Sequence, residues 1–302
     1  RADSLNPPEQ TKVAKTSGAN SWTFDEACNS MQWTPMPTLD MEVKIVSKSD
    51  EHDLDSDLVV LGVFSPTSAG EGKDEGSENG NEEEPPVVLT GKAKKLDDEL
   101  NGLLSRTIEE NSKNFKSGSI LGSATPVVRV VSANEDGEGS PRVRRFAFVG
   151  LGKRGDIEHG SNEEKRRSIG RKIGGTLVST CVSEKGIKSC SILVPMDAFS
   201  APALTEFASS FTGGLYADNR FRTGAKIKTP AEHLEGVTVM LENEEASKDS
   251  SLEEAEAAIS AGKSLAKGTS LAKDIVNSPH NVLNSVSLAD TAERLAAESD
   301  GL

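Results

Sequence analysis

The sequence is poor in cysteine, in aromatic residues and in long apolar runs, and it carries no excess of positive charge. Its three cysteines, Cys28, Cys181 and Cys190, form no C-x-x-C pair, which favours a reducing, intracellular compartment over a disulfide framework. No stretch approaches the roughly 20 apolar residues that a membrane helix needs, and no secretory signal is visible. The formal net charge of −14 argues against nucleic acid and anionic membranes as partners, because binding to phosphate groups requires clustered Lys and Arg.

A cytoplasmic location is therefore expected, with a plastid or another organelle as the alternative. The first residue is Arg1 rather than Met, which is consistent with the removal of an N-terminal piece such as an organelle transit peptide.

The composition divides the 302 residues into three regions. Residues 1–40 are polar and irregular, which predicts a flexible N-terminal extension whose aromatic residues, Trp22, Phe24 and Trp33, pack against the folded body; a docking arm for a partner is the alternative. Residues 41–245 predict an α/β domain with an acidic loop insertion at 65–86. Residues 246–302 predict a connecting helix and the first helix of a further domain.

Apolar periodicity predicts the elements of these regions. Six segments have the alternating or continuous apolar pattern of strands: 42–46, 57–64, 126–131, 144–149, 189–194 and 236–241. Five segments have helical spacing: 96–108, 162–182, 203–216, 251–276 and 285–298. Because strands alternate with helices, we predict an α/β fold with a mixed, mostly parallel sheet, helices on both faces and a long connecting helix after it.

Local signals mark the helix ends. In a capping box a Ser hydroxyl accepts a free backbone N–H while a Glu three residues later reaches back. Two pairs have this spacing: Ser161 with Glu164, and Ser251 with Glu254. Pro279 predicts the end of the long helix, since the residue before a proline avoids helical backbone. Asn284 is placed to cap the last helix.

The segment Gly150-Leu-Gly-Lys-Arg-Gly155 satisfies the pattern G-x-G-x-x-G directly after a predicted strand. In dinucleotide-binding folds such glycines let a helix N-terminus approach a pyrophosphate. Here the next helix is predicted to start only after Ser161, and no acidic residue closes a second strand about 20 positions on. A Gly-rich turn at the carboxyl end of the strand is the simpler interpretation. Lys153 also lacks the following Ser or Thr of a P-loop.

The other polar residues form no recognisable catalytic or metal-binding pattern. The four histidines lie far apart and match no H-E-x-x-H spacing: His52, His159, His233 and His280. Cys181 and Cys190 are predicted to be buried as small apolar side chains. Three lysines of the long helix are expected to be solvated: Lys263, Lys267 and Lys273. Asn277 and Asn281 are expected to bond the backbone of the bend around Pro279.

Four stretches carry a resemblance to one known family. Residues 57–64 are similar to an early strand of that family. Arg145-Phe-Ala-Phe-Val-Gly-Leu-Gly-Lys153 is similar to its VGLGK strand and turn. Phe211-Thr-Gly-Gly-Leu-Tyr-Ala-Asp-Asn-Arg-Phe221 is similar to a helix end that often reads Gly-x-x-Leu-x-x-Tyr/Phe-x-x-x-Arg-Tyr/Phe. Asp274-Ile-Val-Asn-Ser-Pro-His-Asn-Val-Leu283 is similar to a segment that leads into a catalytic domain. In this order they resemble the leucyl aminopeptidases, the cytosol aminopeptidase family, over residues 41–302.

The resemblance implies a metallopeptidase that hydrolyses N-terminal residues from peptides. Its members have an N-terminal α/β domain similar to macro domains, a long connecting helix and a C-terminal catalytic domain, and they assemble as hexamers. Two divalent ions, zinc, manganese or magnesium, polarise the carbonyl and activate the attacking water. The ligands of these ions are a Lys, several Asp and a Glu, and include an Asn-Thr-Asp-Ala-Glu-Gly-Arg motif that is absent from this sequence.

We therefore assign no catalytic, cofactor-binding or metal-binding residue to these 302 residues. The resemblance predicts that they are the non-catalytic front of such an enzyme, ending within the start of a truncated catalytic domain, and that they serve assembly and access to the active site. Asn284-Ser285 stands where the family usually has Thr-Pro, and 1–40 and 65–86 are additional material. The alternative is a stand-alone macro-like module that binds ADP-ribose or another nucleotide through residues 150–155, which rests on fold analogy alone.

Overall fold

The computed structural model describes residues 33–34, 39–47, 54, 56–65, 89, 91–111, 121–132, 142–153, 163–184, 186–224, 233–243 and 249–298. Within these ranges six strands form one sheet: β1 (Asp40–Ser47), β2 (Leu58–Ser65), β3 (Val128–Ser132), β4 (Arg142–Lys153), β5 (Ser189–Pro195) and β6 (Gly236–Asn243). The described helices are α1 (Gly91–Glu99), α2 (Leu103–Glu110), α3 (Glu163–Ser183), α4 (Ala201–Gly214), α5 (Asp249–Asn277) and α6 (Ser285–Glu298).

The sheet is mixed and mostly parallel, as the sequence predicts. Its strand order is β1-β6-β5-β2-β4-β3. Every neighbouring pair is parallel except β3 and β4, which are antiparallel. In the middle of the sheet, Val60 of β2 lies between Ile192 of β5 and Ala147 of β4. Helical crossovers between parallel strands place helices against the faces of such a sheet.

The two faces of the sheet carry two separate hydrophobic cores. Side chains alternate along each strand, so Val60 joins one core while Val59 and Leu61 join the other. The first core also takes apolar residues from α3, α4 and α5. The second core takes Leu96 from α1 and residues of α2. The continuous apolar run of β2 is thus explained by burial on both sides.

One predicted helix is two helices in the structure. The apolar spacing over 96–108 predicts one continuous helix, but α1 ends at Glu99 and α2 begins at Leu103. Asn101 and Gly102 between them have φ of 55° and 77°, in the left-handed region that interrupts a helix. Asp97 then accepts the backbone N–H of Leu104 at 2.8 Å and so caps α2.

Two other boundaries differ from the sequence prediction. The turn expected at Gly150 is strand, because β4 continues to Lys153. The long helix starts at Asp249, before Ser251, so the predicted capping box of Ser251 and Glu254 lies inside the helix rather than at its start. The other predicted cap, at Ser161, and the acidic insertion 65–86 beyond Ser65 lie outside the described residues. No described helix is both long enough and apolar enough to cross a membrane.

Candidate functional site at the helix junction

A carboxylate is buried near the end of α5. Asp274 is 1% exposed, and it continues a stripe of residues four apart that also buries Ala266 and Ser270. Residues at this spacing share one face of a helix, and this face of α5 packs against α4. The geometry of the helix therefore carries a charged group into the interior, where it requires partners.

Asp274 accepts four hydrogen bonds from three residues. The hydroxyl of Tyr216 donates to its Oδ1 at 2.7 Å, and Arg220 Nη2 donates to the same atom at 3.0 Å. The backbone N–H of Thr34 donates to Oδ2 at 2.7 Å, and the Thr34 hydroxyl donates to Oδ1. Three of these bonds converge on Oδ1 and one reaches Oδ2, so protein donors already engage both oxygens of the buried carboxylate.

Arg220 connects Asp274 to a second buried carboxylate. Its Nε and Nη2 donate to the two oxygens of Asp218 at 2.9 Å and 2.8 Å, which is the bidentate geometry of strong arginine–carboxylate pairs. The side chains of Arg220, Asp218 and Asp274 are only 8%, 7% and 2% exposed. We call Tyr216, Asp218, Arg220 and Asp274 the polar junction.

The surroundings shift the protonation of three of these groups. Burial alone would raise the pKa of Asp218, but the hydrogen bonds and charge of Arg220 outweigh it and lower that pKa. Burial likewise opposes the charge of Arg220, and its two carboxylate partners more than compensate, so its pKa is raised. Burial raises the pKa of Tyr216, and its hydrogen bond to Asp274 raises it further. The junction therefore holds ionised Asp218 and Arg220 beside a neutral phenol.

Residues around the junction fasten the last turn of α5 to the end of α4. Lys273 donates to the carbonyl oxygen of Gly213 at 3.1 Å, and its Nζ lies 5.1 Å from the centroid of the Tyr216 ring. The amide of Asn277 reaches the Tyr216 hydroxyl at 3.4 Å. Lys273 is half-buried and thus has, besides the solvation expected from the sequence, an acceptor in the last turn of α4. The side-chain amide of Asn277 thus donates to Tyr216, whereas the sequence predicts a bond to the backbone of the bend.

The bend after α5 is shaped as the sequence predicts. The helix ends at Asn277, two residues before Pro279. Asn284 Oδ1 accepts the backbone N–H groups of Val286 and Ser287 at 3.0 Å and 3.1 Å, so it caps α6. The capping role of Asn284 is confirmed.

A second candidate site lies where the parallel strands end, the position at which α/β sheets commonly bind ligands. There α1 begins at Gly91, and its N-terminus would suit an anion. Glu242 at the end of β6 already fills this position, since its Oε1 accepts the backbone N–H of Lys92 at 2.8 Å. A Cβ at Gly91 would lie 2.2 Å from the same oxygen.

The described glycines of the G-x-G-x-x-G segment are also engaged internally. Gly150 donates its N–H to Ser123 at 2.9 Å, and its carbonyl accepts from Gly122 at 2.8 Å. Among the described residues of the segment, 150–153, no helix begins, and the next described helix, α3, starts at Glu163; residues 154 and 155 lie outside the described ranges. Neither this strand end nor Glu242 favours the nucleotide-binding alternative.

The remaining candidates are not assembled into a site in the described residues. Cys181 and Cys190 are free and buried, as predicted. A hydrogen bond with Cys181 and burial raise the pKa of Cys190, which disfavours a thiolate nucleophile. In the described ranges no three His, Cys, Asp or Glu residues are placed to hold a metal ion. His52, His159 and Cys28 lie outside those ranges.

The four stretches of resemblance meet in pairs in this fold. Strands β2 and β4 lie side by side in parallel, with Leu58 opposite Arg145. The stretch 211–221 supplies Tyr216 and Arg220, and the stretch 274–283 supplies Asp274, so the polar junction is the place where the other two meet. Fold and junction together define an α/β fold in which the end of α4 is fastened to the last turn of α5.

Comparison with known proteins shows the family to which this chain belongs. A model of the N-terminal domain of the cytosol aminopeptidase family matches residues 60–225. The chain belongs to the cytosol aminopeptidase family, as the sequence resemblance predicts.

Relatives show the same kinship and its extent. The chain is 29% identical over 206 residues to a probable cytosol aminopeptidase of Picosynechococcus sp., covering 67% of this chain and 34% of that protein. It is 28% identical over 204 residues to leucine aminopeptidase 2, chloroplastic, of Oryza sativa subsp. japonica, covering 68% of this chain and 29% of that protein. A tomato leucine aminopeptidase mutant shares the fold, with a TM-score of 0.54 and 21% identity over 89% of this chain and 44% of that one. The chain thus spans about a third of the length of the curated relatives it matches.

Sequence reasoning missed the chemistry of the junction although it singled out both stretches. In the sequence, these charged residues are recognisable only as members of two motifs: Asp218, Arg220 and Asp274. One signal was available, since Asp274 falls on the buried face of an otherwise apolar and small-residue stripe. A charged residue at a buried position requires a partner of opposite charge. The stretch 211–221 contains such a partner, Arg220.

Proposed function

We propose that these residues are the N-terminal, non-catalytic part of a leucyl aminopeptidase-like metallopeptidase that, in a longer form, removes N-terminal residues from peptides. The observation that carries this proposal is the match of residues 60–225 to the N-terminal domain of the cytosol aminopeptidase family. The ion pair of Arg220 and Asp274 supports it by joining two of the stretches that resemble this family. A buried carboxylate that pairs with Arg220 and accepts from Tyr216 and Thr34 is suited to holding two elements in one orientation.

The proposal assigns a role to each part of the chain. Residues 41–245 form the α/β domain, 246–302 form the connecting helix and the first helix of a catalytic domain, and 1–40 form an extension. Helix α5 has 29 residues and is therefore about 43 Å long. In this arrangement the polar junction fixes the direction in which the chain leaves the domain.

The family's metal chemistry is proposed for the longer form only. The donor groups of the described residues do not fit two divalent ions, because no three His, Cys, Asp or Glu side chains converge there and both oxygens of Asp274 already accept hydrogen bonds from the protein. We therefore propose that the ligands of zinc, manganese or magnesium are supplied by sequence other than these 302 residues. Hexamer formation and a cytoplasmic or plastid location are proposed on the same kinship.

Hydrolysis of leucine p-nitroanilide tests this proposal. The purified 302-residue chain with added Mn²⁺ is expected to release no nitroaniline above the buffer blank. The longer native form, isolated from its source, is expected to release it and to lose that activity in EDTA. Release by the 302-residue chain that EDTA abolishes would show a complete metal site in it and would overturn the proposal.

A further inference from the structure

We infer that Trp33 and Thr34 of this same chain dock across the bend between α5 and α6, against the last turn of α5 and against α6, and that this docking holds α6 in place. We call residues 278–284 the elbow, and Trp33 with Thr34 the strap. The inference concerns contacts within this chain and does not rest on the proposed function.

The strap bridges the two helices that the elbow separates. Thr34 binds the carboxylate of Asp274 on α5 through both its backbone N–H, at 2.7 Å, and its hydroxyl. The ring of the adjacent Trp33 lies beneath Arg294 of α6, with the guanidinium carbon 5.3 Å from the ring centroid. Two consecutive residues that are 240 positions or more from their partners therefore contact α5 and α6 at once.

Helix α6 has few other attachments among the described residues. Of its described side chains only Thr291 is buried. Val286 and Leu288 are 67% and 43% exposed. A helix that buries so little apolar surface gains little stability from packing, so the contact of Arg294 with the Trp33 ring contributes to its orientation.

The elbow itself is built to transmit that restraint. Ser278 Oγ donates to the carbonyl of Asp274 at 2.7 Å, and the backbone N–H of Val282 donates to Pro279 at 2.9 Å. Ser287 Oγ donates to the carbonyl of Val282 at 3.0 Å. Because the elbow is bonded at both ends, holding α6 through Trp33 also holds its orientation relative to α5.

The strap lies before the part of the chain that the family model matches. The family model matches residues 60–225, so Trp33 and Thr34 precede it. Asp274 serves both sides, since it also accepts from Tyr216 and Arg220. The same carboxylate that closes the polar junction thus receives the strap.

Amide hydrogen exchange, read by mass spectrometry on the full 302-residue chain, tests the inference. In the double variant Trp33→Ala and Thr34→Val we expect the amides of α6 to exchange roughly tenfold faster, since a cation–π contact and a charge-assisted hydrogen bond are lost. The amides of α4 should be unchanged, which shows that the domain remains folded. Deletion of residues 1–30 keeps the strap and should leave α6 as protected as before.

Arg294→Gln approaches the same contact from the other side. It removes the cation from α6 without touching the N-terminal segment, and it should also loosen α6 while the amides of α4 stay protected. Unchanged exchange of α6 in both the double variant and Arg294→Gln would overturn the inference. Exchange that depends on protein concentration over a tenfold range would also overturn it, because the strap would then come from a second copy of the chain.

Discussion

The layer of helices α3, α4 and α5 and the polar junction at its end are held together in opposite ways. In the helix layer, backbones touch: a Cβ added at Gly170 of α3 would lie 1.9 Å from the carbonyl oxygen of Ala203 in α4, and one at Gly262 of α5 would lie 2.3 Å from that of Thr205. At the junction, separate side chains are joined by charge, with Arg220 between two buried carboxylates. The helix layer requires glycines, which have no Cβ, at its contact points. The polar junction requires particular charged side chains.

This difference determines how each region fails. The helix layer is destabilised by a larger side chain at a contact glycine, because protein interiors are close-packed and a backbone cannot move aside as a flexible side chain can. The polar junction is destabilised by loss of one charged partner, because the free-energy cost of leaving a buried charge unpaired exceeds the stability that the pair contributes. One added methyl group should damage the first, while an isosteric loss of charge should damage the second.

Removal of Arg220 should have the largest effect. Arg220→Met leaves Asp218 and Asp274 buried together without their cation, and breaking a buried pair in this way costs about 3–5 kcal/mol. The measurement is the free energy of unfolding in urea at pH 7. Arg171→Met is the matched control, because Arg171 pairs with Glu206 at 3.1 Å with its own side chain 51% exposed, and such surface pairs contribute about 0–1 kcal/mol. Equal losses in the two variants would contradict the central role of the junction.

Addition of one methyl group to α3 should have the next largest effect. Gly170→Ala must displace the backbone of α4 and should cost about 2–3 kcal/mol. Gly175→Ala on the same helix meets nothing within 4 Å and should stabilise by up to about 1 kcal/mol, since alanine favours helix over glycine. Urea unfolding of the two variants gives the difference directly. If both variants are stabilised, α3 and α4 do not approach as closely as described.

The pH dependence of stability should distinguish variants of the polar junction from variants of the helix layer. The pKa of Asp218 is lowered in the folded chain, so its contribution is present above the unfolded value of about 3.9 and is lost as pH falls through the folded pKa. The destabilisation caused by Arg220→Met should therefore shrink between pH 7 and pH 2.5, because a protonated Asp218 no longer needs the cation. The destabilisation caused by Gly170→Ala should stay constant over that range. Urea titrations at both pH values check this; parallel behaviour of the two variants would contradict it.

The helix layer and the sheet were within reach of the sequence because their signals are local. Alternating or continuous apolar runs gave all six strands, and Asn284 and Pro279 marked the bend. The break at Asn101 and Gly102 was missed because Leu96, Leu100 and Leu104 keep helical spacing across it. Spacing reports which face is apolar, and it does not report a left-handed φ.

The polar junction was out of reach because its partners are far apart in the chain. Thr34 and Asp274 are 240 positions apart, and Arg220 and Asp274 are 54 apart. No periodicity links them; only the packing of α4 against α5 brings them together. The motifs 211–221 and 274–283 pointed to the right segments, but the pairing of their charges follows from tertiary structure alone.

The phenol of Tyr216 gives the smallest expected effect and the most specific one. Tyr216→Phe removes one donor to Asp274 and should cost about 1 kcal/mol at pH 8. Burial and the bond to Asp274 raise the pKa of Tyr216, so its contribution is present below the unfolded value of about 10 and is lost as pH rises through the folded pKa. Since the chain has one tyrosine, absorbance near 295 nm follows this group alone. A midpoint at or below 10 would contradict burial of the phenol against a carboxylate.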